Sequence, residues 1–402
     1  MSAAKRRRFV SDDAGFTVME LLVASVIMIT VTGAIFSIMN PSQGAFQKEP
    51  EVSDLQQRLR VGVDTLQKDL VMAGAGTYSG PLVGALSFFM APVMPYNAFM
   101  SPTDPSQQIY YRSDAISLLY VPPTPSQTTI SADMPQPSAE LKVTPQSNCP
   151  GGQQNQLCGF DEGDRLIIFD ADGNWDVFTV TNVQDAAAHL QHNMDDLSTS
   201  YSSGSHVTEA SAAMYHHYVD AATNTYQLRY FDGYLNDLPV VDNVVKLSFK
   251  YFGEPQPPQL TGKPLSVNPG PWTTYGPVPP ALGSSKNGWP AGENCTFKVQ
   301  GGLQVPRLDV LGDGGLAQVE LTQQMLTDGP WCPKANQNQK FDADLLRIRR
   351  VQVTLRVQTA LSTMRGPAGP LFMHGGTATG TKMVPDQEVV FDVTPRNMNL
   401  GR

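Results

Sequence analysis

Between Phe16 and Asn40 the chain carries a single charge, Glu20, in an otherwise apolar run that includes Leu21-Leu22-Val23, Val26 to Ile29, Val31 and Ala34 to Phe36. As a helix this run is about 37 Å long, more than the ~30 Å hydrocarbon core of a bilayer. A carboxylate at the start of such a helix is unfavourable in hydrocarbon and calls for a partner. Lys5, Arg6, Arg7 and Arg8 precede the run, and Gly15 abuts Phe16. The basic cluster favours a cytoplasmic amino terminus and export of the chain beyond the apolar run. No Ala-x-Ala-like site comes after Met39, where the chain reads Asn40-Pro41-Ser42-Gln43. An uncleaved signal anchor therefore accounts for the basic leader and the apolar run. It gives no reason for Gly15-Phe16 followed by Glu20.

The junction Gly15-Phe16-Thr17-Val18-Met19-Glu20 resembles the leader of type IV prepilins. The resemblance implies that a prepilin peptidase cuts between Gly15 and Phe16 on the cytoplasmic side and methylates the new Phe16 amine. Glu20 would then be the glutamate that pairs with the amine of a neighbouring subunit, a cation that makes a carboxylate tolerable in an apolar filament core. The implied precursor is a single-pass protein of the bacterial inner membrane with its ectodomain in the periplasm, carried later to the pilus tip at the cell surface. Its implied partners are the prepilin peptidase, the membrane, other minor and major pilins through the amino-terminal helix, and the inner-membrane assembly platform. No cofactor is implied.

This reading divides the chain into a leader (1–15), a transmembrane and filament-core helix (16–40), a kink with an amphipathic second half of the helix (41–76), and a β-rich domain (77–402). Pro41 and Pro50 bracket a polar stretch where a kink or local melting is expected. A second helical stretch comes next, with Val52, Leu55, Leu59, Val63, Leu66, Leu70 and Ala73 at helical spacing. Asp54, Gln57, Arg58, Lys68 and Asp69 fall largely off that stripe, and Gly74-Ala75-Gly76 is expected to end it.

Beyond Gly80 the period becomes two. Ala115 to Val121 reads as a buried strand. Asp164 to Phe169 and Asp176 to Val183 flank Asp170-Ala171-Asp172-Gly173-Asn174-Trp175, a hairpin with Asp-Gly turn chemistry. Tyr226 to Phe231, the alternating runs around Val245–Tyr251 and Val351–Val357, and Glu388 to Val393 supply further strands, several with one wet face. The fold class expected is α+β: a pilin-like long amino-terminal helix, half transmembrane and half amphipathic, packed on an antiparallel sheet with long loop insertions. The 55–74 helix, the strand after Val240-Val241-Asp242-Asn243, the Arg-rich late strand and the closing Arg396-Asn397 resemble PilW-type minor pilins. They resemble the J-type minor pseudopilins of type II secretion less closely.

Lys and Arg number 28 and Asp and Glu 37; removing the four basic and two acidic residues of the leader leaves 24 against 35. An acidic ectodomain does not suit phosphate contacts, so no nucleic-acid partner is expected. Four cysteines fall in two local sets, Cys149 with Cys158 and Cys295 with Cys332. In an exported chain these suggest disulfides, and pairing within each set would close a Gly/Pro/Asn-rich loop. Other pairings and free thiols stay open, whereas the tight pairs of a zinc site are missing.

Two stretches resist regular structure: Ser79 to Ser106, and Gly253 to Glu293, which reads as a Pro/Gly-rich insertion (253–293). Its Trp272, Tyr275 and Trp289 either contact a partner or fold back on the sheet. His189 and His192 form an H-x2-H without a companion Cys or Glu motif, and His216-His217 alternate across a strand and so cannot face one site. Asp170, Asp172, Asn174 and Asp176 offer oxygens for calcium, but Gly173 stands too early for an EF-hand loop, and a plain turn is the better reading. Gly312-Asp313-Gly314-Gly315 lacks the Lys-Ser/Thr of a phosphate loop, and there is no Gly-x-Ser-x-Gly. No catalytic residue or metal site is expected, and the chain reads as a structural subunit rather than an enzyme. The function expected is that of a minor pilin at the pilus tip, priming assembly. The alternatives are a type II secretion minor pseudopilin and a pilus-displayed adhesin for cell adhesion through the 253–293 insertion.

Overall fold

The computed structural model describes residues 15–76, 86–96, 110–122, 126–146, 149, 155–170, 172–193, 197–233, 236–261, 272–336 and 340–399, without the side chains of 38, 40–47 and a few others. The leader up to Ala14 and much of the Ser79–Ser106 stretch lie outside the described residues. The chain is α+β, one amino-terminal helix followed by mostly antiparallel sheet. It divides into two units, Met1–Asp54 with Thr359–Pro385, and Leu55–Gln358 with Asp386–Arg402.

The helix, α1, runs from Val18 to Met72. Helix is continuous through Pro41 and Pro50, so the local melting expected there does not occur. A proline deletes one i→i−4 bond and costs ~3 kcal/mol in a helix interior. The turns on either side outlast that local loss because each keeps its own ladder. α1 ends where the glycines begin: Gly74 has φ +75° and Gly76 φ +94°. A Cβ on Gly76 would stand 2.1 Å from Val121 Cβ, so glycine is required there twice over, by conformation and by space.

In the unit that starts at Leu55, the stripe of α1 is the core face: Leu55, Leu66, Leu70 and Ala73 are fully buried. Gly62 extends it, since a Cβ there would lie 2.7 Å from Leu355 Cδ2 and 3.4 Å from Val241 Cγ2. The helix backbone thus comes close to the sheets at a residue without a side chain. One sheet has the order Val93–Met94, Ala115–Tyr120, Ser211–Asp220, Thr225–Phe231, Asp237–Asp242, all antiparallel. A second has the order Val319–Leu321, Val244–Gly253, Ile348–Val357, Gln387–Val393. In the second sheet Val351, Val353, Leu355 and Val357 are buried while Lys246–Glu388 and Arg350–Asp392 pair across the other face. That is the alternation the sequence shows.

Between Tyr120 and Ser211, which face each other as partners in the first sheet, the chain builds a separate β lobe. Its strands are Gln127–Thr129, Arg165–Phe169, Trp175–Thr179 and His206–Glu209, with Leu141–Lys142, Asn182–Gln184 and His189–Gln191 in a smaller sheet. Leu141, Leu166, Ile168, Phe178, Leu190 and Val207 form its core. The strand expected over Asp176 to Val183 is thus two short ones, Trp175–Thr179 and Asn182–Gln184.

Candidate assembly site at the amino-terminal helix

Val18–Ser37 has a mean hydropathy of 2.2 and none of it is buried within the protein. It is long and apolar enough to cross a membrane or to serve as a signal sequence. Its polar side chains look after themselves: Ser25 Oγ donates to Leu21 O at 2.7 Å, Thr30 Oγ1 to Val26 O at 2.6 Å, and Ser37 Oγ to Ala34 O at 2.8 Å. Hydroxyls satisfied on their own helix need no water.

Glu20 does not stand alone at the head of this helix. Its Oε2 accepts from Thr17 N at 3.0 Å and from Thr17 Oγ1 at 2.9 Å, while Glu20 N donates to Thr17 Oγ1 at 3.2 Å. This is a reciprocal capping box, the Thr-x-x-Glu spacing closing the first turn of α1. Thr17 is the residue that sequence reasoning passed over, although the spacing carried the signal. Both acceptor bonds of Glu20 fall on Oε2, and Oε1 has no hydrogen bond among the described residues. Phe16, one residue before the cap, is 87% exposed. Gly15 is the first described residue, and beyond its chain neighbours no described atom lies within 4 Å of where its Cβ would stand.

At the other end of the helix, Asp69 departs from the expectation that it lies off the buried stripe. It is buried, with Oδ2 accepting from Tyr215 OH at 2.6 Å and Oδ1 from Tyr120 OH at 3.1 Å. Burial and the Asp69 charge hold both phenols well above the usual tyrosine range. The carboxylate thus ties α1 to two strands of the first sheet.

The cysteines pair within their local sets, Cys149–Cys158 and Cys295–Cys332. The insertion 253–293 is less irregular than expected. Gly253 closes the strand Val244–Gly253, and Leu260–Thr261 pairs with Trp272–Thr273; residues 262–271 lie outside the described set. Tyr275 is buried, its OH donating to Gln256 O at 2.7 Å and its ring under the Arg349 guanidinium. Trp289 donates to Pro333 O at 2.6 Å and carries Arg307 4.4 Å over its ring. These two aromatics therefore fold back onto the protein; the side chain of Trp272 lies outside the described residues. The start of the Arg-rich strand and the 3-10 turn before it explain how: Arg347, the fully buried last residue of that turn, donates to Pro255 O at 3.2 Å and Asp309 O at 2.6 Å, and Arg349 of the strand pairs with Glu254 at 3.1 Å.

Among the described residues, no cluster of three or more His, Cys, Asp or Glu converges as a metal site. His189 pairs with Glu140 and His192 faces Ala139 O at 2.8 Å, on separate partners. His216 meets Asp237 at 3.0 Å and His217 meets Val244 O at 2.7 Å. In the acidic hairpin, Asp170 accepts from the amides of Asp172 and Asn174, the bonding of a turn. Asp176 instead accepts from Ser198 Oγ at 2.8 Å and Tyr201 OH at 2.7 Å. Burial pushes Asp170 and Asp176 up to about 6.

Compared with known proteins, the chain matches no family model, no curated protein and no solved structure.

Proposed function

We propose that this chain is a pilin-like minor subunit of a type IV pilus, acting through its amino-terminal helix rather than by catalysis. The observation that carries the reading is Glu20 in the first turn of a membrane-length helix, preceded at the right interval by Gly15-Phe16. In this reading the precursor sits in the inner membrane with its ectodomain outside, and a prepilin peptidase frees and methylates the Phe16 amine. Extraction into a filament buries the Glu20 carboxylate among apolar helices. There Oε2 keeps its Thr17 bonds while Oε1 accepts a neighbouring subunit's amine, an ion pair that offsets the desolvation of both charges. The ectodomain, with its inserted β lobe and the 253–293 segment, is large for a shaft subunit that must tile tightly. This favours a place at the tip, where assembly starts.

The test is the intact mass of the amino-terminal peptide from membrane-extracted protein. A chain beginning at Phe16 with one added methyl is expected. A chain beginning at Met1 or Ser2 in cells that hold the peptidase would make this an ordinary anchored ectodomain.

A further inference from the structure

Among the described residues, the first and second sheets end in four edge strands, and three of these are blunted. Val93–Met94 is two residues long and buried, and Val319–Leu321 is three residues long. Asp237–Asp242 carries Pro239, and its register against Thr225–Phe231 shifts between Leu228 and Arg229. Short edges, prolines and broken register keep a sheet from adding a further strand. The fourth edge, Gln387–Val393, has none of these. Its seven residues pair with 351–357 in one unbroken register, from Val393 opposite Val351 to Gln387 opposite Val357. It contains no proline, lysine or arginine.

Every second residue of an edge strand turns its N–H and C=O away from the sheet. Among the described residues, the backbone of Gln387–Val393 makes no hydrogen bond beyond those to Ile348–Val357. Its side chains alternate as well. Glu388, Val390 and Asp392 are exposed on the wet face, whereas Val389 and Phe391 are half-buried on the other. Glu388 pairs with Lys246 at 3.3 Å and Asp392 with Arg350 at 2.8 Å, both cations standing on inner strands of the sheet. The edge strand itself therefore brings two carboxylates and no cation to an incoming backbone.

These charges choose the occupant. A second copy pairing antiparallel over the whole strand would centre on Val390 and set Glu388 opposite the copy's Asp392, twice by symmetry. Like charges directly opposite each other destabilise a strand pair, and opposite charges stabilise it. We propose that Gln387–Val393 is a strand-addition site for an extended segment of another protein. That segment carries Lys or Arg opposite Glu388 and Asp392 and apolar side chains beside Val389, Val390 and Phe391. Backbone hydrogen bonds supply its affinity, and the alternate side chains its selectivity.

The probe is the synthetic peptide Thr-Lys-Val-Val-Val-Lys-Thr, compared with its charge-reversed counterpart Thr-Glu-Val-Val-Val-Glu-Thr. Hydrogen exchange of the full-length chain in detergent micelles is followed by mass spectrometry at about 1 mM peptide. The lysine peptide is expected to slow exchange severalfold in 387–393, and the glutamate peptide to have little effect there. In the double variant Glu388→Gln, Asp392→Asn the two peptides are expected to act alike. That variant keeps its fold, because exposed ion pairs contribute little to stability. No slowing with the lysine peptide, or equal slowing by both peptides in the parent chain, overturns the proposal. So does slowing in 387–393 that grows with protein concentration in the absence of peptide, because the occupant is then a second copy. The outcome does not depend on the pilus reading, since neither filament nor membrane enters the measurement.

Discussion

At Glu20 two roles meet in one side chain: a helix cap inside the subunit and, as proposed, a counter-ion between subunits. Glu20→Gln separates them, because the amide oxygen can still accept from Thr17 while the charge is gone. Amide exchange at the start of α1 is expected to stay as slow as in the parent, and recruitment into filaments to fall severalfold. Unchanged recruitment of the Gln variant would leave Glu20 as a cap alone. Thr17→Val makes the complementary change, loosening the first turn by about 1 kcal/mol, readable as faster exchange at Met19 to Leu21. A second carboxylate gives a pH signature. Asp342 is fully buried, accepting from Gly329 N at 2.7 Å and Asp344 N at 2.9 Å, and burial pushes its carboxyl up to about 7. The folded state therefore holds this proton more tightly than the unfolded chain does. Its contribution to stability is full below the ordinary aspartate range of about 4 and is lost as pH rises through about 7. Asp170, Asp176 and Asp344, each pushed up to about 6, share the sign. A higher urea midpoint at pH 5 than at pH 8 is expected, with the difference smaller in Asp342→Asn; an unchanged difference in that variant would refute the assignment.

At the scale of elements, the second half of α1 is held by both apolar packing and a polar tie. Leu66→Ala is expected to destabilise the unit that contains it by roughly 2–5 kcal/mol, because a fully buried side chain leaves a cavity. Asp69→Ala strands the hydroxyls of Tyr120 and Tyr215 and is expected to cost about 1–3 kcal/mol. Chemical denaturation of the two variants checks both, and a neutral Asp69→Ala would mean that water reaches the phenols. Asp69 was passed over because periodicity counts apolar residues and gives a lone carboxylate to the wet face. Helical spacing alone, three residues after Leu66 and four before Ala73, puts Asp69 on the buried face; what the sequence does not show is the pair of tyrosines, far along the chain, that satisfy it there. Gly62 escaped notice for the same reason: its value lies in a close approach to Leu355 and Val241 that no local pattern contains.

The whole molecule is a sheet scaffold interrupted by an insertion that folds on itself. Tyr120 and Ser211 face each other in adjacent antiparallel strands, so the 126–210 lobe leaves and returns at one point. Its core is made from its own strands. Replacing residues 122–209 by Asn-Gly is expected to leave a folded remainder with a single cooperative melt, as a tight turn suits two strands already in register. Loss of the sheet signal in circular dichroism would show instead that the lobe is needed for folding. The disulfides sit in segments with little regular structure; the 37-residue separation of Cys295 and Cys332 makes that pair the greater constraint on the unfolded chain.

By itself the sequence determined what depends on neighbours a few residues apart. The apolar length of α1, its buried stripe, the strands Ala115–Tyr120, Thr225–Phe231 and Ile348–Val357, and the Asp170 turn all follow from local periodicity and turn chemistry. So does the Thr17–Glu20 cap, once its spacing is noticed. Tertiary structure alone decided what depends on distant partners: that Tyr275 and Trp289 fold back onto the protein, and that 126–210 forms a lobe with its own core. It also brought Arg347 and Arg349 under the 253–293 segment. The physical reason is the same in each case. A side chain's burial and hydrogen-bond partners are set by whichever surface packs against it, and that surface is built from residues scores of positions away.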